Sequence, residues 1–220
     1  MVTNKKVLCF TTSYKRQKFL RGTIQDIINQ SYNNITHTIN CTFDNINETI
    51  FNDKLFDDLI SDRVNIIYTE NGHQHYNYIN SIISVKNYED YDLFVKIDDD
   101  DIYKKKYVET IVNEFNLDKN LDVVSSKIKY QLNNTKVFEG YYTDLGGNPR
   151  CHFNMPPTFA FNKKALDFIL NLESIYGFED HMWRDAWCGK TKIKEIKNSE
   201  NIIWHIHGKN ISTSDFLIKQ

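Results

Sequence analysis

Four times between Val7 and Asn116 a short apolar run gives way to a segment with apolar residues at helical spacing, and this alternation restricts the fold more than any other feature. Residues 7–12 (VLCFTT) read as a strand and 15–30 as a helix, with Phe19, Ile24, Ile27 and Ile28 on one face. Residues 36–43 then read as strand, 48–60 as helix, 64–69 as strand, 76–86 as helix, 92–97 as strand and 103–116 as helix. Consecutive parallel strands need crossover connections, and these are right-handed almost without exception, so the carboxyl ends of all four strands should open on one edge. Ligands of open α/β sheets bind at that edge. The expected class is α/β, with a mostly parallel central sheet flanked by helices.

The second half is less regular. Short strands are expected at 123–127, 129–132 and 137–142, helices at 163–172 and 179–188, and strands at 192–196 and 202–207. Residues 143–157 (TDLGGNPRCHFNMPP) hold all three prolines and a Gly-Gly pair, a long loop of the kind that closes over ligands, in which Arg150 and His152 are candidates to hold phosphates. A chain of 220 residues without a linker favours one domain. With 27 basic and 29 acidic side chains it has no overall basic field, so nucleic acid is not expected as a partner. No run approaches the ~20 apolar residues of a transmembrane segment. Cys9, Cys41, Cys151 and Cys188 form no CxxC pair and read as reduced thiols, which together with the missing signal-peptide core suggests a cytoplasmic location.

The segment Leu93–Tyr103 (LFVKIDDDDIY) carries the most chemistry: an apolar strand stops at Asp98, Asp99, Asp100 and Asp101. Four carboxylates crowded at a sheet mouth raise one another's pKa and cost stability unless a cation neutralises them. Mg2+ or Mn2+ suits hard oxygen ligands and leaves coordination positions for substrate phosphates, so the run points to a metal-diphosphate site. The plainer alternative is a solvated helix N-terminus, where aspartate is favourable without a ligand.

LCFTTSYKRQKFLRGTIQDIINQSYNNI, from Leu8 to Ile35, resembles the opening strand and helix of the GT-A-fold glycosyltransferases, in particular the family 2 type. Asp98 to Asp101 matches the DXD motif of that family, Phe178-Glu179-Asp180 resembles its xED motif, and His205 or His207 resembles its C-terminal metal-binding histidine. The resemblance implies a Rossmann-like nucleotide-sugar-binding fold, with residues 1–102 as the nucleotide-sugar half and 103–220 as the acceptor half. It implies that Asp98 approaches the ribose and Asp100 the metal, with Asp99 or Asp101 assisting and the register open by one. Asn71-Gly72 is retained, whereas Thr42-Phe43-Asp44-Asn45 stands where many relatives carry Asp-Asp-Gly-Ser. A UDP-sugar donor is the family expectation.

Sugar transfer needs charge neutralisation at the leaving diphosphate, which a metal on Asp98 and Asp100 would provide, and a base for the acceptor hydroxyl. Asp180 is the candidate base, with Glu179 beside it to bind acceptor hydroxyls; both could instead merely cap a helix. His205 and His207 alternate in WHIHG and so share a strand face, where either could complete the metal shell. Tyr14 could stack on a base, Thr11, Thr12 and Ser13 offer backbone and hydroxyl contacts, and Asp44 and Asn71 stand near the base edge. Trp183 and Trp187, four apart, read as core. The expected function is a metal-dependent, inverting transferase that moves a sugar to a saccharide, lipid-linked or protein-linked hydroxyl in glycan or polysaccharide assembly, with peripheral contact to a membrane left open. The competing readings are a noncatalytic metal-dependent sugar- or nucleotide-binding module and an aspartyl-nucleophile magnesium phosphatase.

Overall fold

A computed structural model describes residues 4–45, 56–126, 129–132, 136–139, 159–172, 179–196 and 202–206. β1 (Val7–Tyr14), α1 (Gln17–Ile28), β2 (Ile35–Phe43), β3 (Val64–Glu70), α2 (Gln74–Ile83) and β4 (Leu93–Lys96) realise the strand-helix alternation. β5 (Ile102–Tyr103), α3 (Tyr107–Leu117), β6 (Val123–Ser126), β7 (Lys129–Leu132) and β8 (Lys136–Glu139) follow, then β9 (Phe159–Asn162), α4 (Lys163–Leu170), α5 (Glu179–Trp187), β10 (Ile193–Ile196) and β11 (Ile202–Ile206). Seven strands form the central sheet in the order β10-β6-β9-β4-β1-β2-β3, and β5, β11, β7 and β8 form a second, small sheet.

β1 pairs in parallel with β2 on one side and β4 on the other, and β2 with β3. The chain therefore runs outward through β2 and β3, then returns to the opposite side of β1. This reversal between β1 and β4 is the topological switch point, where an open parallel sheet leaves a crevice at its carboxyl ends. Strands from both halves of the chain build the one sheet, which makes a single domain.

The period-2 alternation of β1 sorts the core into two faces. Val7 and Cys9, with Val95 and Ile97, pack against Ile27 of α1 and Tyr107, Val108, Ile111 and Val112 of α3. Leu8 and Phe10, with Phe94, pack against Tyr78 and Ile82 of α2, Leu166 and Ile169 of α4, and Met182, Trp183 and Trp187 of α5. Both tryptophans are fully buried, as their spacing suggested.

Three elements differ from the sequence reading. β9 was not foreseen: FAFN is short, lies behind Pro156-Pro157 and runs antiparallel to β4 and β6, so it has neither the length nor the crossover helix that announces a parallel strand. The expected helix from 103 begins at Tyr107 instead, because Tyr103 is held extended: its N–H donates to Asp26 Oδ2 at 2.9 Å and its hydroxyl accepts the Asp98 N–H at 2.8 Å. Of the expected helix 48–60, Phe56 to Leu59 form a turn, and the preceding part lies outside the described residues, as do residues 140–158 and with them Arg150 and His152. Cys9 and Cys41 are free and buried, whereas Cys188 is disulfide-bonded, so the reading of thiols throughout fails there. Among the described residues no helix is long and apolar enough to cross a membrane.

Burial also sets the titration of a core histidine on β2. His37, 1% exposed on β2, has its Nε2 at 2.9 Å from Thr11 Oγ1, and burial pushes its pKa down to about 3. The unfolded chain takes up a proton at this residue near pH 6.5 and the folded chain only near 3, so its contribution is fully present above 6.5 and is lost as the pH falls through that window. At pH 5 the loss is about 2 kcal/mol. In urea denaturation at pH 7.5 and pH 5.0, His37→Gln should lose less stability between the two conditions than the wild type by that amount; identical losses would show that His37 is not the titrating group.

Candidate active site

The carboxyl ends of β1 and β4 bring the acidic run together with the β1–α1 turn. Lys15 adopts a left-handed conformation (φ 55°) that ends β1, leaving Tyr14 facing outward and Arg16 against the acids. Ser13 Oγ donates to Asp99 Oδ2 at 2.6 Å, and Arg16 Nη1 lies 3.2 Å from Asp99 Oδ1 and 2.7 Å from Asp100 Oδ2. From α1, Thr23 Oγ1 donates to the carbonyls of Asp99 (2.9 Å) and Asp101 (3.3 Å), fixing the turn from beneath. Asp99, Asp100 and Asp101 are buried, not dispersed into solvent.

On the other side of the run, Lys96 extends from the face of β4 that carries Phe94, toward α2 and α5. It is 1% exposed, and its Nζ lies 3.1 Å from Asp98 Oδ1, 3.0 Å from Glu179 Oε1 and 2.9 Å from Asp180 Oδ1. Tyr78 of α2 donates its hydroxyl to Asp98 at 2.8 Å, and its ring lies 5.0 Å from the same ammonium. The DXD-like and xED-like acids, about eighty residues apart in sequence, thus share one cation.

The electrostatics follow. Burial pushes Asp99 up to about 7, with Asp100 adding to the rise while Arg16 and Ser13 oppose it. Asp98 is raised by burial against the pull of Lys96. Asp180 is raised well above the carboxylate range by burial and by Glu179, with Lys96 opposing. Lys96 itself loses by burial, but Asp180, Asp98, Tyr78 and Glu179 outweigh that and hold it charged. Five carboxylates, Asp98, Asp99, Asp100, Glu179 and Asp180, surround two cations, Lys96 and Arg16. Fully ionised, the crevice keeps an excess of negative charge.

That excess fits a divalent cation in charge, but the described side chains do not close a ligand shell. Asp98 is bound by Lys96 and Tyr78 and Asp100 by Arg16, and among the described residues no group of three or more His, Cys, Asp or Glu is arranged to hold a metal. His205 is described in its backbone alone and His207 lies outside the described residues. β11 pairs antiparallel with β5, Ile202 opposite Tyr103 and Ile203 opposite Ile102, which brings the start of β11 beside the strand that follows the acidic run.

The remaining expected residues separate into two groups. Tyr14 (41% exposed) donates its hydroxyl to Asp44 Oδ1 at 2.6 Å, and Lys15 Nζ lies 2.5 Å from Asp44 Oδ2, making an accessible polar edge beside the acids. Asn71 follows β3 at the same edge, its Oδ1 accepting from Thr42 and Asn77. Thr12 is half-buried on β1. Thr11 is fully buried and its hydroxyl meets His37 in the core. Ser13, expected to touch nucleotide, donates its hydroxyl to Asp99. Sequence reasoning assigned no role to Lys96, Arg16 or Tyr78. A signal existed for Lys96: two residues before Asp98 on a strand, it shares that residue's face.

This sheet order, parallel through β4-β1-β2-β3 with helices on both faces, is that of a Rossmann-like α/β fold. Among solved structures, it is similar to S. aureus TarS 1–349, with a TM-score of 0.66 and 12% identity over 91% of this chain and 60% of that one. The complex of that fragment with UDP-GlcNAc gives a TM-score of 0.67 and 13% identity over 93% and 60%. A further TarS structure matches at 0.66 and 12% over 91% of this chain and 37% of that one, so the chain spans less than two thirds of these neighbours. No family profile and no curated protein matches the sequence. At this identity the likeness establishes the fold.

Proposed function

We propose that the protein is a metal-dependent, inverting glycosyltransferase that moves a sugar from a UDP-sugar to a hydroxyl acceptor in glycan or polysaccharide assembly. The observation that carries this reading is the orientation of Asp180. Its carboxylate does not simply cap α5: Asp180 Oδ1 and Asp98 Oδ1 lie 2.9 Å and 3.1 Å from the one Lys96 nitrogen, within 6.0 Å of each other. The neighbours of like fold include TarS complexes with UDP and with UDP-GlcNAc, which supports a nucleotide-sugar donor.

In this reading Asp98 and Asp99 lie at the ribose and diphosphate, and Tyr14, Asp44 and Asn71 form the base edge. Asp180, made more basic by burial and by Glu179, accepts the proton of the acceptor hydroxyl as that oxygen attacks the anomeric carbon. Glu179 and the acceptor half orient the saccharide, lipid-linked or protein-linked hydroxyl. Manganese or magnesium would be held by Asp100 and Asp98 with His205 or His207, and would supply Lewis-acid stabilisation of the leaving diphosphate.

A thermal-shift panel of UDP, GDP, ADP and CDP, each with and without Mn2+, tests the reading. UDP with Mn2+ at a hundredfold excess over its Kd should stabilise the wild type by about 2.7 kcal/mol, and Asp100→Ala should lose that stabilisation. Equal stabilisation of the two proteins would remove Asp100 from the site.

A further inference from the structure

We propose that Lys96 is a positioning residue that fixes the direction of the Asp180 carboxylate by tying the start of α5 to the end of β4. The proposal rests on the transfer reading for its consequence in catalysis, though not for its geometry.

A fully buried ammonium is costly unless its charge and its N–H groups are satisfied. An ammonium has three N–H donors, and three carboxylates stand within 3.1 Å of Lys96 Nζ. They come from two separate elements, Asp98 behind β4 and Glu179 and Asp180 in the first turn of α5. Further along α5, Met182, Trp183 and Trp187 pack into the cluster around Phe10 and Phe161, Trp183 Nε1 donates to His75 Nδ1 at 2.9 Å and Trp187 Nε1 to the Ala165 carbonyl at 2.8 Å. These contacts fix the depth and rotation of the helix, but they are made by other side chains and do not touch the Asp180 carboxylate at its start. Lys96 supplies that direction. It also offsets the mutual repulsion of three acids, which would otherwise turn Asp180 away from Asp98. Tyr78 braces the arrangement from α2, its hydroxyl on Asp98 and its ring beside the ammonium. At 1% exposure Lys96 is closed off from a bound donor or acceptor, and its effect on transfer runs through Asp180.

The test compares wild type, Lys96→Met, Asp180→Asn and the double variant in three measurements: a crystal structure of Lys96→Met, UDP affinity and stoichiometry in Mn2+, and hydrolysis of UDP-GlcNAc with water as acceptor. The structure should show the Asp180 carboxylate rotated beyond 6 Å from Asp98, and an unmoved carboxylate overturns the proposal whatever the activity. Lys96→Met should bind UDP one to one with Kd within about threefold of wild type while kcat falls about 100-fold, the effect of misplacing a reacting group by roughly 1 Å. On the Asp180→Asn background Lys96→Met should add no further loss, because both act on one group; fully multiplicative losses overturn the proposal. A wild type that neither binds UDP nor hydrolyses the sugar nucleotide sinks the transfer reading instead, and the crystal structure still decides the role of Lys96. If Lys96→Met does not fold, Lys96→Met/Glu179→Gln, with one stranded charge fewer, takes its place in every arm.

Discussion

Asp180→Asn is expected to lower turnover of a UDP-sugar by about 10²–10⁴-fold while leaving UDP affinity nearly unchanged. The carboxamide keeps the size of the carboxylate and can still meet Lys96, so the site remains assembled; it cannot take the acceptor proton. The loss should therefore appear in kcat and not in KM for the donor, which steady-state kinetics with release of UDP as the signal will separate. A parallel rise in donor KM would mean that Asp180 binds substrate and is not the base. Glu179→Gln should be milder, since in this scheme Glu179 does not remove the proton.

Trp183→Ala should cost about 3–5 kcal/mol of folding stability, the range for truncating a fully buried aromatic residue. Trp183 sits one turn after Asp180 on α5, 0% exposed, with Phe10, Tyr78, Phe161 and Trp187 around it at centroid separations of 5.8–6.2 Å. Its Nε1 also donates to His75 Nδ1 at 2.9 Å, and burial holds His75 neutral, its pKa lowered to about 4, so truncation leaves that acceptor without its donor. Chemical denaturation measures the loss, and Trp183→Phe should fall between the two because it restores most of the packing but not the hydrogen bond. A change below 1 kcal/mol for alanine would show that α5 is not anchored through this residue.

The part of this architecture visible in the sequence is the part written in local periodicity. β1, α1, β2, β3, α2 and β4 each carry their own pattern, and parallel pairing with crossovers follows from their alternation. β9 carries no such pattern, being four residues inserted antiparallel between strands that meet only in three dimensions. The acids after β4 were legible as a cluster because they are consecutive. Their neutralisation was not: Arg16 is 83 residues from Asp99, and Lys96 is 84 residues from Asp180. Two side-chain cations meet part of the charge that the sequence alone assigned to a metal. Thr11 shows the converse limit, since a hydroxyl at a strand end reads as a ligand contact until its face is known, and here that face meets His37 in the core.

The most direct measurement is a crystal structure of the protein with UDP and Mn2+. The account predicts the diphosphate at the carboxyl ends of β1 and β4, manganese on Asp100, and the uracil against Tyr14 and Asp44. A nucleotide seated elsewhere contradicts it, for instance in the cavity of about 240 Å³ lined by Ile27, Ile35, His37, Leu59 and Arg63 at the opposite end of the strands. So does a crevice that stays empty at saturating UDP.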